Sequence, residues 1–337
     1  MDDQRSGVLV AGGAGFLGSH LCEKLHACGF AVVCLDSLRT GSLDNLAHLL
    51  GKPRFSFVEA DLTDVLPKAL ERRRDIGRIF NLASPASPPH YQADPEHTLL
   101  TNVIGTQRLL RLAEIWGARF VLASTSEIYG DPDEHPQRET YHGSVNPIGP
   151  RACYDEGKRA AETLASDYRR FGRCDTRIAR IFNTYGPRMR ADDGRVVSNF
   201  VMQALCGDVL TLYGNGLQTR SFCFVSDLID GLMRLMDASA PCEAPVNLGN
   251  PHEITMRELA ARITALACSD SQIVYCDLPA DDPRRRQPDI TRAQTWLGWS
   301  PHISLDEGLR LTIAYFDRMI RNPRAVLSQA NDSRWAP

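Results

Sequence analysis

The chain has 337 residues, with 38 Lys plus Arg against 41 Asp plus Glu and a formal net charge of −3. That balance argues against a nucleic-acid binder, which presents a basic stripe, and leaves the recognition of acidic ligands to local arginine clusters. With 43% hydrophobic and 23% charged residues, the mixture is that of a globular protein able to bury a full core without staples.

The cysteines are scattered and no pair has the C-x-x-C spacing of a zinc or redox site, so they read as reduced core thiols and no metal site is expected. Met1–Gly7 is polar, without a basic-then-apolar signal pattern. No apolar run reaches the ~20 residues a membrane helix needs. The expectation is a cytoplasmic protein with neither membrane nor nucleic-acid partners.

In chain order, Val8–Ala11 is an apolar run followed by glycines and a helical pattern over Phe16–Cys28. Ala31–Leu35, Phe55–Val58, Arg78–Leu82 and Phe120–Ala123 read as further buried strands. Leu43–Leu50, Leu66–Arg74 and Pro95–Trp116 read as helices between them. Strands alternating with helices predict an α/β fold, a Rossmann-type doubly wound parallel sheet with right-handed crossovers. The Pro- and Gly-rich segment Gly130–Arg151 breaks the rhythm, and a loop of that length in a compact domain is usually functional. A helix over Tyr154–Phe171 and a strand over Thr176–Phe182 follow. Beyond Asn183 the elements shorten, with helices predicted at Arg195–Cys206, Ser226–Met236, Met256–Leu266 and Leu305–Met319. The expected organisation is a Rossmann domain over 1–182, a smaller substrate-binding lobe over 183–320 with some return to the first domain, and a polar tail over 321–337.

Gly12, Gly15 and Gly18 form G-x-x-G-x-x-G between a strand and a helix. Such glycines let the backbone approach a pyrophosphate, which then faces the free N–H groups of the helix N-terminus. Asp36 closes the next strand, where a carboxylate binds ribose hydroxyls and repels a 2′-phosphate, favouring NAD over NADP. Arg39 nearby could tolerate that phosphate. Asp61 sits where a side chain could hold the adenine. Either aspartate could instead simply cap its loop.

Tyr154 and Lys158 form Y-x-x-x-K, on one face of the predicted helix. A phenol titrates near ~10, and an adjacent ammonium together with a cationic nicotinamide ring favours the phenolate. Tyr154 could then take a proton from a sugar hydroxyl while hydride leaves the same carbon. Ser124-Thr125-Ser126-Glu127 follows the strand Phe120–Ala123, at the carboxyl end of the sheet where ligands bind in open α/β folds. Arg195, Arg220 and the basic stretch Pro283–Pro288 are candidates for phosphate or carboxylate binding; the last could equally be a solvated loop.

With these motifs stands Arg180-Ile181-Phe182-Asn183-Thr184-Tyr185-Gly186-Pro187. Together they resemble the extended short-chain dehydrogenases that act on nucleotide sugars. More narrowly, the chain resembles the UDP-glucuronic acid decarboxylase family from about Gly7 to Phe316. The segments Asn81–Pro89, Leu122–Pro132, Asn146–Lys158, Asp193–Phe200 and Asp281–Ile290 carry that likeness. It implies NAD as cofactor and UDP-glucuronate as substrate. Oxidation at C4 would be followed by loss of CO2 from the 4-keto sugar, protonation at C5 and reduction to UDP-xylose. By position, Tyr154 is the base, Lys158 tunes it and holds the nicotinamide ribose, and Thr125 orients the 4-hydroxyl. Glu127 and Arg286 handle the carboxylate and the protonation. Phe16, Leu17, Thr40, Leu82, Thr101 and Ala123 match cofactor contacts, and Asn183, Tyr213 and Arg220 face the UDP group. The resemblance further implies a homodimer, paired through a four-helix bundle of Pro95–Trp116 and Tyr154–Phe171.

Related 4,6-dehydratases carry Thr-Asp-Glu where this chain has Thr125-Ser126-Glu127. A serine at Ser126 cannot act as the general acid that a departing hydroxyl needs. Two enzymatic alternatives share the scaffold, a UDP-sugar 4-epimerase and a nucleotide-sugar 4,6-dehydratase. A third alternative is a non-catalytic NAD-sensing protein.

Overall fold

The computed structural model describes residues 7–239, 243–277 and 285–321. Seven parallel strands form the central sheet: β1 (Gly7–Ala11), β2 (Ala31–Asp36), β3 (Phe55–Glu59), β4 (Ile76–Asn81), β5 (Arg119–Thr125), β6 (Thr176–Ile181) and β7 (Val246–Leu248). Their order is β7-β6-β5-β4-β1-β2-β3, so the chain reverses direction across the sheet between β1 and β4. This is the expected doubly wound fold, and its crevice opens beyond the strands' carboxyl ends at that reversal.

Both faces of the sheet are covered, which is why its strands read as nearly continuous apolar runs. Alternate residues part cleanly. Val8, Val10, Val32, Cys34, Phe80 and Val121 enter one core, whereas Leu9, Ala11, Val33, Leu35, Ile79, Phe120 and Leu122 enter the other. The first core is closed by helix α1 (Phe16–Ala27), by the later helix Val225–Asp237 and by the C-terminal half of the chain. The second is closed by α2 (Thr106–Trp116) and α3 (Ala152–Arg170).

Several elements differ from expectation. Leu43–Leu50 holds only a 3-10 turn at Leu43–Leu46, and Leu66–Arg74 holds one helical turn at Lys68–Glu71. Pro67 delays the start of the latter, and the charged run after Leu70 gives it no apolar face to bury. Pro95–Trp116 is helical throughout but passes through a π turn at Thr101–Gly105. That turn buries Thr101 and Asn102 and sets Thr101 on the crevice, and π turns often mark functional positions. A short helix at Pro88–Ala93 was not expected, since Pro88-Pro89 reads as loop. Arg321, expected to open the tail, is the last residue of the helix Leu305–Arg321; the rest of that tail lies outside the described residues.

After Asn183 the chain builds small sheets against the crevice. Thr219–Ser221 pairs antiparallel with Glu253–Thr255 and parallel with Arg285–Arg286, which sets Arg220 directly beside Arg286. Leu210–Tyr213 pairs with Ile273–Cys276 and carries Tyr213 to the rim. β7 then rejoins the main sheet beside β6.

Candidate active site

One cleft of about 580 Å³ runs from the glycine turn after β1 to the small sheets of the C-terminal half. Its first end is shaped by absent side chains. Gly12 has φ +76, and a Cβ there would lie 2.7 Å from the backbone of Leu82 and Ala83. A Cβ on Gly18 would run into the Gly12 carbonyl. The turn therefore closes tightly and aims the start of α1, with Gly15, Phe16 and Leu17, into the cleft. Asp36 accepts from the amides of Ala14 (2.9 Å) and Leu38 (2.8 Å) at the end of β2. Burial pushes its carboxyl up while these amides resist the shift. A helix N-terminus facing bare backbone, with a carboxylate one strand over, fits the pyrophosphate and adenosine ribose of a dinucleotide.

Around that end stand Thr40, Asp61, Leu82 and Thr101. Asp61 accepts from Thr63 Oγ1 (2.8 Å) and lies 2.8 Å from His97 Nε2, so His97 orients it. Arg39 pairs with Asp94 across the cleft at 2.6 Å, which turns its guanidinium towards a carboxylate of the chain itself.

The second centre lies where β5 ends. Thr125 caps a 3-10 turn (Ser126–Tyr129) by accepting from the Glu127 amide. Tyr154 and Lys158 come from α3, and Gly157 between them lets that helix approach Asn102 of the π turn closely. Tyr154 stacks flat on Tyr91, with ring centroids 5.2 Å apart. Burial pushes its phenol up, against a hydrogen bond from Thr125 that pulls the other way. Lys158 Nζ donates to the Ala123 carbonyl at 2.9 Å and lies 5.8 Å from the Tyr154 ring centroid. Burial brings its ammonium down to about 8. The phenolate expected from the sequence needs the cationic nicotinamide ring as well as Lys158, because burial alone favours the neutral phenol.

A buried network fixes these parts against one another. Arg180 of β6 donates to both Glu162 oxygens on α3 (3.0 and 2.8 Å) and to Tyr129 Oη (3.0 Å), and Ser124 Oγ donates to Glu162 (2.5 Å). A bidentate arginine–carboxylate pair holds orientation as well as charge.

Glu127 is the hub of the substrate end. Its Oε1 accepts from Arg286 Nη1, and its Oε2 accepts from Arg151 Nη2 at 2.6 Å. Burial pushes the Glu127 carboxyl up, but Arg286 and Arg151 outweigh that and hold it well below the usual range. Ser126 is buried beside it. Arg195 pairs with Asp193, and Asn183, Arg195, Tyr213 and Arg220 line the far end of the cleft. The candidate catalytic, cofactor and substrate residues therefore face this cleft, whereas the basic stretch does so only through Arg286. Of the basic stretch Pro283–Pro288, Pro283 and Arg284 lie outside the described residues, Arg285 is exposed and Arg286 is buried.

Sequence reasoning missed Arg151, Tyr91 and His97 as parts of the site. Arg151 lies within the quoted segment Asn146–Lys158, so the signal was there, but nothing local says that Arg151 folds back onto Glu127.

Comparison with known proteins agrees with this geometry. The chain belongs to the family described as GDP-mannose 4,6 dehydratase, whose profile matches residues 9–312. Within it, the chain belongs with the UDP-glucuronic acid decarboxylases. It is 50% identical over 321 residues to UDP-glucuronic acid decarboxylase 1 of Danio rerio, covering 95% of this chain and 75% of that one. It is 53% identical over 305 residues to UDP-glucuronic acid decarboxylase 5 of Arabidopsis thaliana, covering 90% and 87%. Among solved structures, UDP-glucuronic acid 4-epimerase from Bacillus cereus, in complex with UDP-glucuronic acid and NAD, superposes with a TM-score of 0.83 at 26% identity, over 93% of this chain and 99% of that one. dTDP-glucose 4,6-dehydratase from Streptomyces venezuelae, with NAD bound, gives 0.84 at 30%, over 94% and 99%.

Proposed function

We propose that this chain is an NAD-dependent enzyme that decarboxylates UDP-glucuronate to UDP-xylose through a 4-keto sugar, with no net use of cofactor. The observation that carries this is the convergence of Arg286 and Arg151 on a buried carboxylate beside Tyr154 and Thr125. Bound in the cleft, NAD+ supplies the hydride acceptor for C4, the returned hydride, and a cationic ring that favours the Tyr154 phenolate.

Tyr154 takes the C4 hydroxyl proton while Thr125 orients that oxygen. With C4 a ketone, the C5 carboxylate is β to it, and the C5–CO2 bond can break with its electrons held in an enolate. Tyr154 and Thr125 donate to the developing oxyanion. C5 then takes a proton from solvent water on the Glu127–Arg286 side, the hydroxide being neutralised by solvent, and Tyr154 returns its proton as C4 is reduced. Arg195, Arg220, Asn183 and Tyr213 hold the UDP group at the far end.

The test is incubation with UDP-glucuronate and substoichiometric NAD+, with the sugars read by mass spectrometry. A product lighter by one CO2, without accumulating NADH, is expected. A product of unchanged mass means 4-epimerisation instead, and absence of any reaction overturns the proposal. The exposed apolar side chains Leu99, Leu100 and Ile115 support a homodimer through the helices Pro95–Trp116 and Ala152–Arg170; sedimentation showing only monomer at micromolar concentration refutes it.

A further inference from the structure

The end of β5 carries the partners of both Tyr154 and Lys158. The Ala123 carbonyl accepts from Lys158 Nζ at 2.9 Å, and the Thr125 hydroxyl is hydrogen-bonded to Tyr154. Yet this end of the strand is held by the sheet on one side only. β5 pairs with β4 as far as Leu122, whereas its pairing with β6 runs on through Ser124 and Thr125. Ser124 stands between the two partners, is 3% exposed, and donates from Oγ to Glu162 Oε1 at 2.5 Å. Glu162 lies one turn beyond Lys158 and two beyond Tyr154 on α3, so the three side chains share a helix face. Its carboxylate is itself fixed. Arg180, the register partner of Ser124 on β6, donates to both of its oxygens at 3.0 and 2.8 Å. Arg180 is in turn held by the Tyr129 hydroxyl (3.0 Å) and the Glu139 carbonyl (2.9 Å).

We propose that Ser124 and Glu162 are positioning residues for the proton transfer at C4: their bond sets the spacing between the strand end, with Thr125 and the Ala123 carbonyl, and the helix, with Tyr154 and Lys158. The inference rests on the reading of Tyr154 as the base. It supplies on the α3 side the tether that β4 does not give beyond Leu122. Reacting groups that depend on placement lose rate steeply when they drift, and a misplacement of about 1 Å can cost about a hundredfold. Releasing the tether leaves Thr125 and Lys158 less able to support the phenolate. The Tyr154 phenol, which burial pushes up against the pull of its Thr125 bond, then moves further up. Asp155 of α3, Tyr91, Glu127 and Arg195 also face that phenol, and the variants below leave all of them in place.

Ser124→Ala cuts the tether and leaves the Glu162–Arg180 pair whole. The experiment measures kcat and KM for CO2 release from UDP-glucuronate by the NAD-loaded enzyme, from about pH 6 to about pH 9.5. The acid limb of the variant should move up by about one pH unit, so that kcat falls about tenfold on the acid side and recovers towards the wild-type value at alkaline pH. KM should change little, because the UDP group is held at the far end of the cleft. The melting temperature should fall by about 2–4 °C, as for one hydrogen bond to a charged group. A merely structural role gives that fall with an unshifted profile, and this outcome overturns the proposal while leaving the reaction standing. Should Ser124→Ala fail to fold, Glu162→Asp decides, since it keeps the charge against Arg180 but draws the carboxylate back from Ser124 by one methylene. The same shift of the acid limb is expected there, and an unshifted limb overturns the proposal. A wild-type enzyme that releases no CO2 at any pH overturns the reaction itself and this role with it.

Discussion

Replacing Glu127 by Ala removes the carboxylate that Arg286 and Arg151 both donate to. Arg286 is 3% exposed and its Nε already lacks a partner. After the change it keeps Nη2 against the Gly130 carbonyl at 3.3 Å. Stripping one partner from a buried ion pair costs ~3–5 kcal/mol, most of it the uncompensated charge. Arg151 is 15% exposed and can rehydrate, so the lower end, ~3 kcal/mol, is expected. At about 1.4 °C per kcal/mol for a chain of this size, the melting temperature should fall by about 4 °C. Calorimetry or a fluorescence melt on the NAD-loaded protein reads this directly. UDP-glucuronate carries a carboxylate that can fill the gap, and UDP-glucose does not. The excess protection by UDP-glucuronate over UDP-glucose should therefore be larger in the variant than in the wild type. An unchanged melting temperature, or equal protection of the variant by the two nucleotide sugars, refutes the clamp.

Tyr154→Phe keeps the stack on Tyr91 and loses only the proton-transferring group; turnover should drop by ~10²–10⁴ while calorimetric UDP affinity stays, and near-normal turnover would remove Tyr154 as the base. Gly18→Ala drives a Cβ into the Gly12 carbonyl, so NAD affinity measured by fluorescence titration should collapse; retained affinity would show that the turn is not the pyrophosphate cradle. His20, bonded to the Pro187 carbonyl at 2.9 Å, is brought down to about 3, mainly by burial and then by Arg188. Between that value and 6.5 the unfolded chain binds the extra proton, so stability falls as pH drops below 6.5. Glu23, held down to about 2 by His48 and Arg188 against burial, adds its loss only below 4.5. His20→Gln should remove the upper part of the acid transition in pH-dependent melts and leave the lower part; an unchanged curve counts against a neutral His20.

The sheet was legible because local rules and burial agree along it. β1, β2 and most of β5 are apolar runs, and parallel strands buried on both faces need no alternation to be seen; β3, at the sheet edge, alternates instead, and β4 and β6 keep enough apolar residues between their polar ones to be read. The cleft residues near the glycine turn were legible for the same reason, since a strand end followed by glycines leaves few geometries. What escaped depends on distant pairing. The register that sets Arg286 beside Arg220 joins strands far apart in sequence, and the fold of Arg151 onto Glu127 depends on how the long loop returns to α3. The two overcalled helices failed because apolar spacing alone, over segments limited by Pro67 and Gly51, cannot complete enough turns to propagate. Burial, which pushes the Tyr154 phenol up in the protein without its cofactor, is set by the packing of Tyr91 and the end of β5 around it and has no signature in the Y-x-x-x-K motif.

Superposition on an epimerase and on a dehydratase at TM-scores of 0.83 and 0.84 means that the fold cannot choose among the reactions open to a 4-keto sugar. The choice falls to the side chains that meet C5 and C6. Expelling a hydroxyl from C6 needs a proton donor there. Ser126 cannot supply one near neutrality, and Glu127 is held ionised by its two arginines. Epimerisation needs the ketone to turn over in the cleft, and a carboxylate on the sugar does not by itself prevent that, since the Bacillus cereus 4-epimerase binds UDP-glucuronic acid too. Under the proposed reaction, losing CO2 asks for no acid at C6; it asks for donors where negative charge gathers as the carbon–carbon bond breaks, the place that reaction gives to Tyr154 and Thr125.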